Sequence, residues 1–182
     1  MVKTESTQVL KEGAGAPQFE LKGTDNKIYS LEMFGKSEAL LVIFICNHCP
    51  YVKARISDIV RIQSRFKNSE LQVICINSND PSYDEEGFEN MKKFYEKYQL
   101  NFPYLIDESQ DVARRYGAVC TPDPYLFNGE RRLVYHGRIN DAVEPNSIAK
   151  THIMEDNIKT LLAGGKIENG FDPSIGCSIK WK

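Results

Sequence analysis

The stretch LVIFICNHCPYVKARI, residues 41–56, decides how the chain is read, because it sets two cysteines two residues apart between an apolar run and a helical pattern. Its first part belongs to ALLVIFI, residues 39–45, which has no polar alternation and so predicts a strand covered on both faces. After Pro50, the residues Val52, Ile56, Ile59, Val60 and Phe66 recur at helical spacing, while Lys53, Arg61 and Arg65 point elsewhere. Cys46 and Cys49 therefore lie where a buried strand hands over to an amphipathic helix, with Cys49 expected inside the helix's first turn.

That position has chemical content. The unpaired N–H groups of a first turn and the helix dipole stabilise an anion, and a thiolate is one. A thiol that ordinarily titrates at about 8.5 is brought to roughly 3.5–7.5 in such places. Three readings compete for the pair. A structural zinc site wants four ligands, and the next cysteine, Cys75, stands alone in a predicted strand. A purely apolar role suits single cysteines such as Cys75 better than two at one junction. Thiol–disulfide exchange needs two sulfurs at this separation and suits the junction best.

Working outward, strands and helices alternate over 182 residues, enough for one domain with a substantial core. FELKGTDNKIYSL, 19–31, reads as a hairpin turning at Gly23–Asn26, and LQVICIN, 71–77, as a second buried strand. FENMKKFYEKYQL, 88–100, predicts a helix with Phe88, Met91, Tyr95 and Tyr98 on one stripe. FPYLID, 102–107, predicts a short strand, and residues 109–117 a helix closed by Gly117. Asn128-Gly129 is the strongest hairpin signal, joining two strands within 124–139. A last helix is expected to start near Asn146 and end at Gly164-Gly165, after which turn residues dominate. These elements predict an α/β fold with a mixed central sheet flanked by helices. We divide it into an N-terminal extension (1–14), a core domain (15–163) and a C-terminal tail packed on it (164–182).

Composition excludes several function classes. With 23 basic and 25 acidic residues the formal charge is −2, so neither nucleic acid nor an anionic membrane is an expected partner. Five cysteines are too few and too odd for a disulfide scaffold. With no signal-like block at the start and nowhere 18 consecutive apolar residues, a cytoplasmic protein is expected.

Several segments carry a family resemblance: GAPQFEL (15–21), LVIFICNHCPYV (41–52), FPYLIDES (102–109), CTPDPYLFN (120–128) and the ending IGCSIKW (175–181). In this order the chain resembles the peroxiredoxin-like branch of the thioredoxin superfamily, the alkyl hydroperoxide reductase and thiol-specific antioxidant group. The resemblance implies a thioredoxin fold with an added N-terminal hairpin. It also implies that Thr121-Pro122 is a cis-proline loop facing the Cys46–Cys49 pair, presenting backbone groups to an extended peptide substrate. Without the resemblance, Thr-Pro-Asp-Pro would read as an ordinary turn.

The expected mechanism starts from exposure. Cys46, ahead of the helix, is expected to be exposed and to attack; Cys49, partly covered, to resolve the mixed disulfide. His48 and Lys53 are the expected tuning cations, with Arg55 nearby. No cofactor and no metal are expected; the partners are a disulfide-bearing protein or small molecule and a thiol reductant system. ALLVIFI contains no carboxylate, so the segment itself supplies no proton acceptor for Cys49. Peroxiredoxins carry Pro-x-x-x-Thr-x-x-Cys; aligned on Cys49, those positions hold Val42 and Cys46. Peroxide reduction therefore ranks second, ahead of a redox-inert binding module. Cys75 is expected to be inert, Cys120 and Cys177 to be either secondary thiols near the surface of the pair or simply packed, and His136 and His152 to be surface or satisfied histidines.

Overall fold

The apolar run Ala39–Phe44 forms the middle of an eight-stranded sheet, and all six of its side chains are fully buried. The computed structural model describes residues 3–182. In chain order the strands are β1 (Lys3–Glu5), β2 (Glu20–Gly23), β3 (Ile28–Ser30), β4 (Ala39–Phe44), β5 (Leu71–Asn77), β6 (Tyr104–Ile106), β7 (Cys120–Thr121), β8 (Asp123–Asn128), β9 (Leu133–Gly137), β10 (Phe171–Asp172) and β11 (Ile175–Ser178). The helices are α1 (Pro50–Arg65), α2 (Phe88–Lys97), α3 (Asp111–Tyr116) and α4 (Ile153–Leu162).

The large sheet runs β10-β9-β8-β4-β5-β6-β2-β3. β4, β5 and β6 are parallel, an arrangement that needs the crossovers α1 and α2 provide, and β8 and β2 flank them antiparallel. Because side chains alternate along a strand, β4 feeds two cores at once. Leu41 and Ile43 pack with Val52, Ile56 and Ile59 of α1, Met91 of α2 and Met154 of α4. Leu40, Val42 and Phe44 face Val112 and Tyr116 of α3 and the aromatic rings of Tyr125 and Phe127. Each such burial contributes about 1.5–3 kcal/mol, which is why this strand tolerates no polar residue. The off-core arginines of α1 are spent on α4, where the buried Glu155 accepts from Arg61 at 2.5 Å and Arg65 at 2.5 Å.

Both hairpins form. β2 and β3 pair antiparallel with Leu21 opposite Tyr29, and Asn26 turns at a positive φ of 67°. The β8–β9 turn closes through Asn128, whose side-chain oxygen accepts from the amides of Glu130 and Arg132. Three helical boundaries differ from expectation. α4 begins at Ile153 and not near Asn146, because Asp141 collects the amides of Lys150 and Thr151 and holds that segment as a loop. α2 ends at Lys97 and centres its buried face on Met91 and Phe94, leaving Tyr95 and Tyr98 only partly covered. Cys49 is the N-cap of α1, one step outside the first turn. The tail supplies two strands, and β11 joins β1 and β7 in a separate three-stranded sheet, β1-β11-β7. Among the described residues no helix is long and apolar enough to cross a membrane.

Candidate active site

β4 delivers Cys46 two residues past its end, and Pro50 at the first position of α1 delivers Cys49 as cap. Pro suits that position because the N–H it lacks would have had no helical partner. The β7–β8 junction crosses opposite them. Its Thr121-Pro122 peptide is cis, as the resemblance implies. Thr121 touches both cysteines: its Oγ1 lies 3.1 Å from Cys46 Sγ and its carbonyl oxygen 3.3 Å from Cys49 Sγ.

Neither sulfur is where the sequence put it with respect to solvent. Cys46 and Cys49 are both fully buried, which corrects the expected exposure of Cys46. Two distant segments close over them. One is the loop before α2, which carries Glu86; the other is β11, which lays Cys177 Sγ 2.7 Å from Cys49 Sγ. Gly176 permits that approach, since a Cβ there would stand 1.9 Å from the Thr121 carbonyl oxygen.

Glu86 is the residue that sequence reasoning missed. It is 3% exposed, and its Oε1 accepts from the amides of Asn47 at 3.0 Å and His48 at 3.3 Å and lies 2.5 Å from His48 Nδ1. Its Oε2 accepts from Asn77 Nδ2 at 2.7 Å. The only signal in the sequence was a carboxylate among several in DEEGFEN, and nothing local separates it from its solvated neighbours Asp84 and Glu85. Cys46, His48 and Glu86 each place a donor atom within 4.8 Å of the others, an acid–imidazole–thiol cluster. The same donors could hold a thiophilic ion, although both Glu86 oxygens already accept amide hydrogen bonds.

The electrostatics separate the two sulfurs. Cys49 is held well below the usual thiol range by the sulfurs of Cys177 and Cys46 and by the amides of Val52 and Cys177, against the cost of burial. Cys46 is pushed well above it by burial, then by Cys49 and the Glu86 carboxylate, with only Thr121 Oγ1 opposing. An anion is thus stabilised at Cys49 and not, as the sequence suggested, at Cys46, first by the Cys177 and Cys46 sulfurs and only then by the Val52 amide of the helix start.

The other candidates fall as follows. His48 stands beside Cys46 and Glu86, its ring 5.1 Å from that of Tyr83. Lys53 turns away to Glu85 at 3.3 Å on the surface, and Arg55 donates to the carbonyls of Ala142 and Glu144. Cys120 is fully buried in β7 and Cys177 nearly so, with Cys177 beside the pair, so neither is open to solvent; Cys75 lies in the core as expected. His136 is a fully buried histidine whose Nε2 lies 2.8 Å from Asp123 Oδ1. His152 caps α4.

Burial also pushes up the thiols of Cys75 and Cys120, as it does that of Cys46. Each keeps its proton when folded and releases it when unfolded above about pH 8.5, so stability falls as pH rises by about 1.4 kcal/mol per unit per group. Cys49, depressed when folded, works in the opposite sense: its contribution is complete above about 8.5 and is lost as pH falls. The expected result is a urea midpoint of the reduced protein that drops steeply between pH 8.5 and 10. A flat profile there would contradict the burial of these thiols.

With the geometry in view, comparison with known proteins places the chain. Residues 13–136 match the AhpC/TSA family. The chain belongs to that family. A solved structure of an uncharacterized conserved protein from Geobacillus kaustophilus is similar to this AhpC/TSA chain at 39% identity, covering 100% of this chain and 97% of that one, with a TM-score of 0.93. The thioredoxin domain of a thiol-disulfide oxidoreductase from Bacteroides vulgatus superposes at a TM-score of 0.66 and 17% identity over 84% of this chain and 99% of that one, which shows the thioredoxin fold. Among curated relatives, the thiol-disulfide oxidoreductase ResA of Halalkalibacterium halodurans is 24% identical over 127 residues, 69% of this chain and 68% of that protein.

Proposed function

We propose that this AhpC/TSA-family chain is a thiol–disulfide oxidoreductase whose working pair is Cys46 and Cys49. The observation that carries the reading is that both sulfurs meet the same residue, Thr121, at a strand-to-helix junction where only one of them is stabilised as an anion. The name of the ResA relative points the same way.

In the proposed cycle Cys46 gives its proton to the His48–Glu86 couple and attacks a substrate disulfide. One substrate sulfur leaves as a thiolate and the other stays bound to Cys46. Cys49, already a thiolate, then attacks Cys46 Sγ, releasing the second substrate sulfur and closing a Cys46–Cys49 disulfide. The substrate gains two electrons and the chain loses them, so a thiol reductant system must recharge the pair. Cys46 suits the entering role because its neighbour His48 is 11% exposed, whereas Cys49 is enclosed by Thr121 and Cys177. The cytoplasm is the proposed setting, since five cysteines at this length do not form a scaffold that needs an oxidising one.

One observation favours a second reading, a thiol peroxidase: the thiolate at the start of α1 is Cys49, the position on which the peroxiredoxin motif aligns. Mixing the reduced chain separately with a disulfide peptide and with hydrogen peroxide, and following thiol loss, decides between them. Rapid loss with the peptide and slow loss with peroxide is expected; the reverse order selects the peroxidase, and inertness to both selects a binding module.

A further inference from the structure

The edge of β7 is where an extended peptide would pair with the cis-proline loop, yet the chain's own β11 already holds it. Cys177 lies opposite Thr121 and Ser178 opposite Cys120 in an antiparallel ladder, and β1 closes the outer side with Lys3 opposite Cys177. The strand is fixed at both ends. Ser174 exchanges hydrogen bonds with Ser6, Ile179 donates to the carbonyl of Val119 at 2.9 Å, and Lys180 donates to Asn79 Oδ1 at 2.8 Å. β11 therefore presents its cysteine to the pair as a bound substrate strand would. The sulfur it meets is Cys49, at 2.7 Å.

We propose that Cys177 is a third redox thiol of this protein, exchanging with the Cys46–Cys49 disulfide to form a Cys49–Cys177 disulfide. This rests on the thiol–disulfide reading above. The Cys177 sulfur, losing its proton, attacks Cys49 Sγ; the Cys46–Cys49 bond breaks, and Cys46 departs with the electron pair and takes up a proton. One disulfide and one thiol become one disulfide and one thiol, so no oxidant or reductant is consumed. The attack is favoured at that stage of the cycle. What holds the Cys177 proton in the reduced chain is first of all the Cys49 anion, and that anion is absent once Cys49 is bridged, while Lys180 continues to favour the Cys177 thiolate. The exchange returns Cys46 to the thiol form and fixes β11 covalently across Thr121, so the oxidised chain locks the peptide-pairing edge that β11 already holds.

The test uses the full chain, reduced, then treated with one equivalent of the thiol oxidant diamide, quenched in acid and digested without reductant. Peptide mass mapping of the wild type is expected to find Cys46–Cys49 and Cys49–Cys177 links together. Cys46→Ser is expected to lose two of its four remaining thiols, all of the loss in a Cys49–Cys177 link. Cys177→Ser should retain the Cys46–Cys49 link alone. A wild-type map with Cys46–Cys49 but no Cys49–Cys177 overturns the proposal, whatever the variants show, and leaves the thiol–disulfide reading standing. A map with no link among these three cysteines overturns both.

Discussion

Cys46→Ser and Cys49→Ser each lower turnover of a disulfide peptide by on the order of a thousandfold or more, as expected when the atom that makes or resolves a covalent intermediate is removed. They stop the cycle at different points. Cys49→Ser retains the entering sulfur and lacks the resolving one, so it accumulates mixed disulfides through Cys46. It also removes the neighbouring anion that helps hold the Cys46 proton, which makes the remaining thiol more readily ionised. Cys46→Ser accumulates none with substrate, because Cys49 is enclosed by Thr121, Cys177 and the first turn of α1. Non-reducing gels of each variant mixed with a disulfide peptide read the difference directly. Equal trapping by both would assign the roles wrongly, and trapping by Cys46→Ser alone would reverse them.

Asp123→Ala is the substitution expected to cost the fold most. Asp123 and His136 are fully buried and meet at 2.8 Å, with Tyr125 donating to the other carboxylate oxygen at 3.0 Å and stacking on the imidazole at 4.0 Å. Burial alone pushes the Asp123 carboxyl up, and His136 and Tyr125 are what oppose it. Removing one member of such a pair leaves the other desolvated and without its partner, which costs about 3–5 kcal/mol. For a domain of this length that corresponds to a fall in Tm of roughly 6–20 °C. Asp123→Asn keeps an acceptor for His136 and should lose less. Thermal and urea unfolding of the reduced proteins check both; a loss in Asp123→Ala under about 1 kcal/mol would mean that the dyad is not the anchor of this loop. Asp123 directly follows Pro122, so the anchor it provides is also what aims Thr121 at the two cysteines.

The strand at 39–44, the helix after Pro50, both hairpins and the placement of the CNHC pair between strand and helix were legible in the sequence because they are local. A period of two or of 3.6 is written into neighbouring residues, and so are the turns at Asn26 and Asn128. The family resemblance, which correctly implied the cis bond at Thr121-Pro122, was legible for the same reason: its motifs are short and contiguous. What only the tertiary structure decided concerns groups brought from far along the chain. Glu86 reaches the Asn47 amide from 39 positions away, and Cys177 reaches Cys49 from 128. Those two arrivals bury Cys46, place the anion on Cys49, and occupy the edge that Thr121 was expected to offer to a substrate. No periodicity encodes them, because the solvation of a sulfur and the charge beside it depend on which distant loop covers it, and that is settled only when the core has packed.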